Sequence, residues 1–265
     1  MMLPMAHRQP ETVEPGFRAF VARTLGEQGR SWIAALPEIQ ATLAARWRLE
    51  LGRELPGGLL SCVRAARLPD GTRAVLKVAA SPQRTRYEVA ALRAWGGVGA
   101  PALLETDDEL GALLLERIAP GTHPVSAQPG AIASLSNVLG IAPPPGLPRL
   151  DEAVRLRIQR ALDEGRASEV QASWARAKIG ELERMPHPIC LVHGDLDERN
   201  LLECSRRGLC AIDPLPCVGD PAYDAGTWVH GNRRPGRRAR LDALVALGFD
   251  RARVRDWAAV VAVHG

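Results

Sequence analysis

The chain has 265 residues, 46% of them hydrophobic and 24% charged, a composition that disfavours disorder and leaves room for a substantial core. Its net charge of +4 does not read as a nucleic-acid footprint, because the basic residues do not cluster with aromatics on one element. The densest basic run, Arg233-Arg234-Pro235-Gly236-Arg237-Arg238-Ala239-Arg240, sits at a Pro-Gly break and reads as a solvated loop leading into a helix.

In chain order, Phe17, Phe20, Val21 and Leu25 recur at helical spacing between Pro15-Gly16 and Gly26, which predicts a short amphipathic helix. A second helix is expected from Pro37, at its first turn, to about Trp47. Strands follow at Leu49–Leu55, Cys62–Leu68 and Arg73–Ala79, the last two joined by Pro69-Asp70-Gly71-Thr72, a strong hairpin signal. Ser81-Pro82 opens a helix that Gly96-Gly97 ends, and two more strands, Ala102–Thr106 and Leu110–Glu116, complete a β-rich first part. After Ile118-Ala119-Pro120-Gly121 the pattern turns helical, at about 129–140, 150–165, 168–184, 221–232, 237–247 and 250–263. The expected fold class is α+β: a β-rich lobe at 1–117 joined to a larger, mostly helical lobe at 118–265.

Five cysteines, Cys62, Cys190, Cys204, Cys210 and Cys217, are odd in number and lack Cys-x-x-Cys spacing, so neither a disulfide framework nor a zinc site is expected. The start of the chain lacks an apolar core of signal-peptide length, and no run approaches the roughly eighteen residues of a membrane span. A cytoplasmic protein with no membrane or nucleic-acid partner, monomeric by default, is the expectation.

Chemistry concentrates in Leu191-Val192-His193-Gly194-Asp195-Leu196-Asp197-Glu198-Arg199-Asn200, followed by Ala211-Ile212-Asp213-Pro214. An Asp and an Asn five residues apart on a loop, with a second Asp ending an apolar run, suit phosphoryl transfer. That reaction needs a carboxylate to orient a hydroxyl and hard oxygens to hold Mg²⁺ on nucleotide phosphates. Asp195 is the candidate for the first task, Asn200 and Asp213 for the second. Two apolar runs flanking Ser205-Arg206-Arg207-Gly208 read as a hairpin between them. The plain alternative is a polar loop with capping carboxylates.

Lys77, in Ala74-Val75-Leu76-Lys77-Val78, either points outward from a half-buried strand or grips phosphates. Glu88, on the next helix beside Ala91, Leu92 and Trp95, is a carboxylate near an apolar stripe and wants a cation. Gly57-Gly58-Leu59-Leu60-Ser61 lies where a phosphate-covering loop would be, with Gly58 and Ser61 as its candidates, although an ordinary turn explains it equally well. Leu113-Leu114-Leu115-Glu116-Arg117-Ile118 would meet adenine through the backbone of Glu116 and Ile118, or is a plain edge strand and linker. Asp220, before Pro221, defaults to helix capping and is expected to brace the loop, and Asp224, one turn on near the positive end of the same helix, is expected to be structural as well.

Together these residues resemble the aminoglycoside phosphotransferase group, and within it the streptomycin 6-kinase-like branch, the aminoglycoside/hydroxyurea antibiotic resistance kinases. The most specific pieces are His193-Gly194-Asp195-Leu196 with Asn200, and Ile212-Asp213-Pro214 with Val218-Gly219-Asp220-Pro221-Ala222-Tyr223-Asp224. The resemblance implies a protein-kinase-like two-lobed fold and transfer from ATP, with Mg²⁺, to a hydroxyl of a small-molecule antibiotic, streptomycin-like first. Hydroxyurea, a viomycin-like peptide or a metabolite are alternative acceptors, and a catalytically silent nucleotide-binding scaffold is the alternative of another class. Asp195 would act on the hydroxyl, Asn200 and Asp213 would hold Mg²⁺, and Lys77, positioned by Glu88, would hold phosphates. His193 would support the loop by hydrogen bonding. Asp197 stands where this branch commonly has His, and Leu215 where it often has Lys. Asp197 sets a carboxylate near the transferring phosphate, a like-charge arrangement that Arg199 or a cationic substrate would have to compensate. Asp197, Glu198 and Asp224 are the substrate-side candidates.

Overall fold

The computed structural model describes residues 15–56, 58, 60–124, 135, 140–231 and 236–265. They divide into two compact units, one of residues up to Arg86 with Leu104–Arg117, the other of Tyr87–Leu103 with Ile118–Gly265.

The first unit opens with α1 (Pro15–Trp47), which breaks at Gly26, where φ is 58° and ψ −131°. The first helix therefore ends where the sequence places its end. The second starts well before Pro37, which lies inside it. Proline there removes one main-chain bond, a cost of about 3 kcal/mol. Burial of Ile33, Leu36 and Leu43 along one face offsets it, each at about 1.5–3 kcal/mol.

Strands β1 (Glu50–Glu54), β2 (Ser61–Arg67), β3 (Arg73–Ala79), β4 (Leu103–Asp107) and β5 (Ala112–Glu116) form one sheet in the order β1-β2-β3-β5-β4. The Asp70-Gly71 turn closes with Gly71 N–H to Leu68 O at 2.9 Å and Thr72 N–H to Asp70 Oδ1 at 2.8 Å. Ala74, Leu76 and Val78 alternate onto the face that packs with Leu36 and Leu43 of α1. Lys77 lies on the other face, in register with Val63 and Leu113, and it is buried rather than projecting outward.

Helix α2 (Pro82–Trp95) begins in the first unit and ends in the second, where Gly96 and Gly97 stop it with φ of 57° and 81°. The second unit continues with α3 (Leu150–Asp163), α4 (Glu169–Arg184), the strand β6 (Cys190–Val192) and the hairpin β7 (Leu201–Cys204)/β8 (Gly208–Ala211). A strand β9 (Cys217–Gly219), not evident in the sequence, pairs antiparallel with β6. Helices α5 (Ala222–His230), α6 (Arg237–Ala246) and α7 (Arg251–His264) follow. The core gathers Val154, Ile158, Ile179, Leu182, Val192, Trp228 and Trp257.

Helix α5 is buried from Ala222 to Val229, so it serves as the centre of this unit. Gly226 lets α7 approach it, since a β-carbon there would lie 2.7 Å from Ala258 N. The helix expected at 129–140 and the residues Arg233, Arg234 and Pro235 lie largely outside the described residues. Of the basic run, Arg237 and Arg238 are exposed, but Arg240 is buried, which corrects its reading as a wholly solvated stretch. Among the described residues no helix is long and apolar enough to cross a membrane.

Candidate active site

The loop from His193 to Asn200 leaves β6 and enters β7 through a single 3₁₀ turn at Glu198–Asn200. Its start is tied down by Asp224, whose Oδ2 accepts the His193 N–H at 2.6 Å and whose Oδ1 accepts the Gly194 N–H at 2.8 Å. Gly194 has φ 80°, and a β-carbon there would fall 2.1 Å from Leu215 O, so glycine is required by both conformation and space. From α3, Arg157 Nη1 donates to Gly194 O and, at 2.9 Å, to the Tyr223 hydroxyl.

His193 knits this loop to the Asp213 segment. Its Nδ1 accepts the Asp195 N–H at 3.3 Å, which puts the ring proton on Nε2, 3.1 Å from Ile212 O. Trp95 stacks on the same ring, with centroids 5.9 Å apart. His193 O accepts from Leu215 N–H at 2.9 Å, and Asn200 O accepts from Ile212 N–H at 2.8 Å. Asp213, the next residue, takes a left-handed conformation with φ 55°, unusual outside glycine.

Asn200 Nδ2 donates to Asp195 O at 2.7 Å and to Asp195 Oδ2 at 2.9 Å. Both amide protons thus serve Asp195, and Oδ1 is the atom left to face a cation. Asp195 Oδ1 takes no hydrogen bond from the described residues. Burial, and then the neighbouring Asp197, push the Asp195 carboxyl above its ordinary range; Arg157, the Asn200 bond and Arg199 pull it back. Among the described residues no three His, Cys, Asp or Glu side chains gather into a metal cluster.

The three substrate-side candidates fare differently. Asp224 is fully buried with both oxygens committed to the loop, and Glu198 is buried against Arg240, with Nη2 to Oε1 at 2.8 Å. Neither presents a carboxylate outward, which corrects the substrate-side reading of Glu198 and leaves Asp224 with its structural role. Asp197 accepts from Arg199 N–H and Nε, each at 2.7 Å, so Arg199 is the compensating cation. Asp220 caps α5 through Ala222 N–H at 2.9 Å and pairs with Arg253 and Trp257 Nε1. The brace on the loop is Asp224, and Asp220 ties α5 to α7 instead.

The remaining candidates sit as follows. Glu88 is buried on α2, about two turns before the Trp95 that stacks on His193. Ile118 is buried with Cys204 and Cys210. In the first unit Lys77 and Ser61 are buried, Glu116 ends β5 half-buried, and Gly58 has φ 80°. Sequence reasoning passed over Arg157 and Arg240. The signal was present, since each is an arginine on the buried stripe of its helix: Arg157 beside Val154, Ile158 and Ala161, and Arg240 one turn before Leu244.

The Asp224 tether carries a pH signature. Burial pushes its carboxyl up to about 7, against the two N–H bonds and Arg157 that lower it, while Asp195 adds to the rise. The unfolded chain would ionise near 3.8, so between about 4 and about 7 the folded state holds a proton that the unfolded state has lost. The stabilisation from this group is therefore complete below about 4 and is lost as pH rises to about 7. Urea unfolding of wild type and Asp224→Asn across pH 4–8 should show their stability difference falling over that window and flat above it. A difference independent of pH would contradict the assignment.

The family model for aminoglycoside/hydroxyurea antibiotic resistance kinase matches residues 46–265. The chain belongs to this kinase family. Among its relatives, streptomycin 6-kinase of Streptomyces griseus is 35% identical over 267 residues, covering 92% of this chain and 86% of that protein. Hydroxyurea phosphotransferase of Kitasatospora aureofaciens is 32% identical over 251 residues, covering 88% and 72%. The solved GDP complex of wild-type aminoglycoside 2'-phosphotransferase-IIIa matches with TM-score 0.59 at 15% identity, over 84% of this chain and 87% of that one. The fold of this family member is accordingly the protein-kinase-like α+β fold.

Proposed function

We propose that this kinase transfers the γ-phosphoryl group of ATP, with Mg²⁺, to a hydroxyl of a small-molecule antibiotic, streptomycin first, and so confers resistance. The observation that carries the reading is the Asp195–Asn200 hydrogen bond knitted to Asp213 in a chain 35% identical to a streptomycin 6-kinase. The hydroxyurea phosphotransferase relative makes hydroxyurea the second acceptor to test.

Mg²⁺ fits the donor set: it takes one or two protein oxygens and fills its octahedron with water and phosphate oxygens. Asn200 Oδ1 and the Asp213 carboxylate would supply the protein oxygens. Bound there, the ion would neutralise charge on the phosphates. Asp195 orients the acceptor hydroxyl through Oδ1 and takes its proton as the oxygen–phosphorus bond forms and ADP leaves. His193 is not the base, since its Nδ1 is engaged by Asp195 N–H and its Nε2 by Ile212 O.

For the nucleotide, Lys77 would hold phosphates with Glu88 as its partner, Gly58 and Ser61 would offer backbone over them, and the backbone of Glu116 and Ile118 would meet adenine. Residues 1–117 and 118–265 would be the nucleotide and catalytic lobes of a cytoplasmic monomer. The test is a panel: purified protein, Mg²⁺ATP, and streptomycin, other aminoglycosides, viomycin-like peptides and hydroxyurea, scored by phosphorylated product mass. Product with streptomycin supports the reading, and ATP binding with no product on any compound overturns it.

A further inference from the structure

The loop holds three consecutive charged side chains, Asp197, Glu198 and Arg199, and the structure treats them unequally. Glu198 turns inward to Arg240, with side chains 8% and 1% exposed. The Asp197 side chain is 12% exposed and fully engaged: Oδ1 caps the 3₁₀ turn at Arg199 N–H, and Oδ2 takes Arg199 Nε and Nη2. The Arg199 side chain is 76% exposed. Both acids are covered, and the cation is what the loop presents.

A long arginine normally loses rotamer freedom when it binds a ligand. Here the Asp197 carboxylate grips one edge of the guanidinium, so its plane is set beforehand while Nη1 faces away from Asp197. The turn that carries it ends at Asn200, whose amide is bonded to Asp195. A fixed, outward guanidinium beside that pair suits the equatorial oxygens of a phosphoryl group in transfer. Two other arginines that touch the loop are occupied behind it, Arg157 by Gly194 O and the Tyr223 hydroxyl, Arg240 by Glu198 and Trp228 O.

We propose that Arg199 contacts the γ-phosphoryl group of the bound nucleoside triphosphate and that Asp197 is the residue that positions it. The proposal rests on the kinase reading above. It also removes the like-charge conflict at Asp197, because the acid reaches the phosphate only through its arginine.

The test is calorimetric titration of wild type, Arg199→Met, Arg199→Lys and Asp197→Asn with Mg²⁺ATP and with Mg²⁺ADP, with melting temperature as the control for folding. Arg199→Met should weaken ATP binding about tenfold and leave ADP binding unchanged, the loss expected of one charge-assisted hydrogen bond. Arg199→Lys should recover part of the loss, and Asp197→Asn should shift ATP affinity in the same direction by less. ATP and ADP affinities falling together, or neither moving, would overturn the proposal while leaving the kinase reading in place. A wild type that binds neither nucleotide would overturn both.

Discussion

Asp195→Asn is expected to lower kcat by about 10²–10⁴-fold, the range for losing a positioned general base, with nucleotide affinity little changed. The substitution keeps the side chain's shape and an oxygen for the Asn200 amide, but it removes the negative charge and the acceptor that takes the proton. Burial and Asp197 already press against ionisation at this position. The variant should therefore melt no lower than wild type, and removing the charge should if anything stabilise it. Steady-state kinetics and a melting curve on the same preparation check both halves. A variant that retains wild-type turnover would show that Asp195 is not the base.

The largest effect on stability is expected at a buried pair on the inner side of the catalytic loop. Arg240 is 1% exposed, donates to Trp228 O at 2.6 Å and to Glu198 Oε1 at 2.8 Å, and lies over the Trp228 ring at 5.1 Å. Glu198→Ala strips a buried guanidinium of its carboxylate, at a cost of about 3–5 kcal/mol. Removing both charges should cost less than the two single losses added together, because the uncompensated charge disappears with its partner. Urea denaturation of Glu198→Ala, Arg240→Ala and the double variant measures this coupling. A loss below about 1 kcal/mol in Glu198→Ala would place the pair with ordinary surface bridges.

The space around the pair is equally constrained: a β-carbon at Gly231 would fall 2.0 Å from Glu198 Oε2. The same turn thus has two functions. Its inner side locks the loop to α6 through Glu198, and its outer side presents Arg199. Stability and phosphate recognition are divided between adjacent residues.

What could be read from the sequence was mostly local. Asp-Gly between two β-branched and apolar runs specifies its own turn, and the β2–β3 hairpin formed where expected. The His193–Asn200 spacing and the apolar approach to Asp213 are local too, and their hydrogen bonds span a few residues or one short hairpin. Pro37 misled because its preference for a first turn is weaker than the burial of Ile33, Leu36 and Leu43 around it. Strand β9 is three residues long and shows no periodicity; it exists because β6 offers it a partner.

The residues that were missed or misassigned all act across long separations. Arg157 reaches Gly194 from another helix, Arg240 reaches Glu198, and Asp224 reaches back to His193 and Gly194. Asp220 and Asp224 are one helical turn apart, and no sequence rule says which of them faces the loop. The helix phase decides it: Asp224 points to the loop and Asp220 to Arg253. A charged residue on a buried stripe was the one usable clue. It marks Arg157 and Arg240 as much as it marks Glu88.

On the proposed mechanism Asp195, on a loop tied to Asn200 and Asp213, takes the proton of an antibiotic hydroxyl as that oxygen receives the γ-phosphoryl group of ATP. The most direct test of this claim incubates wild type and Asp195→Asn with Mg²⁺ATP and streptomycin and measures antibiotic mass alongside ADP release. The expected result is streptomycin heavier by one phosphoryl group, with one ADP per product, from wild type and only background from the variant. Unmodified streptomycin with wild type, or equal product from both proteins, would contradict it.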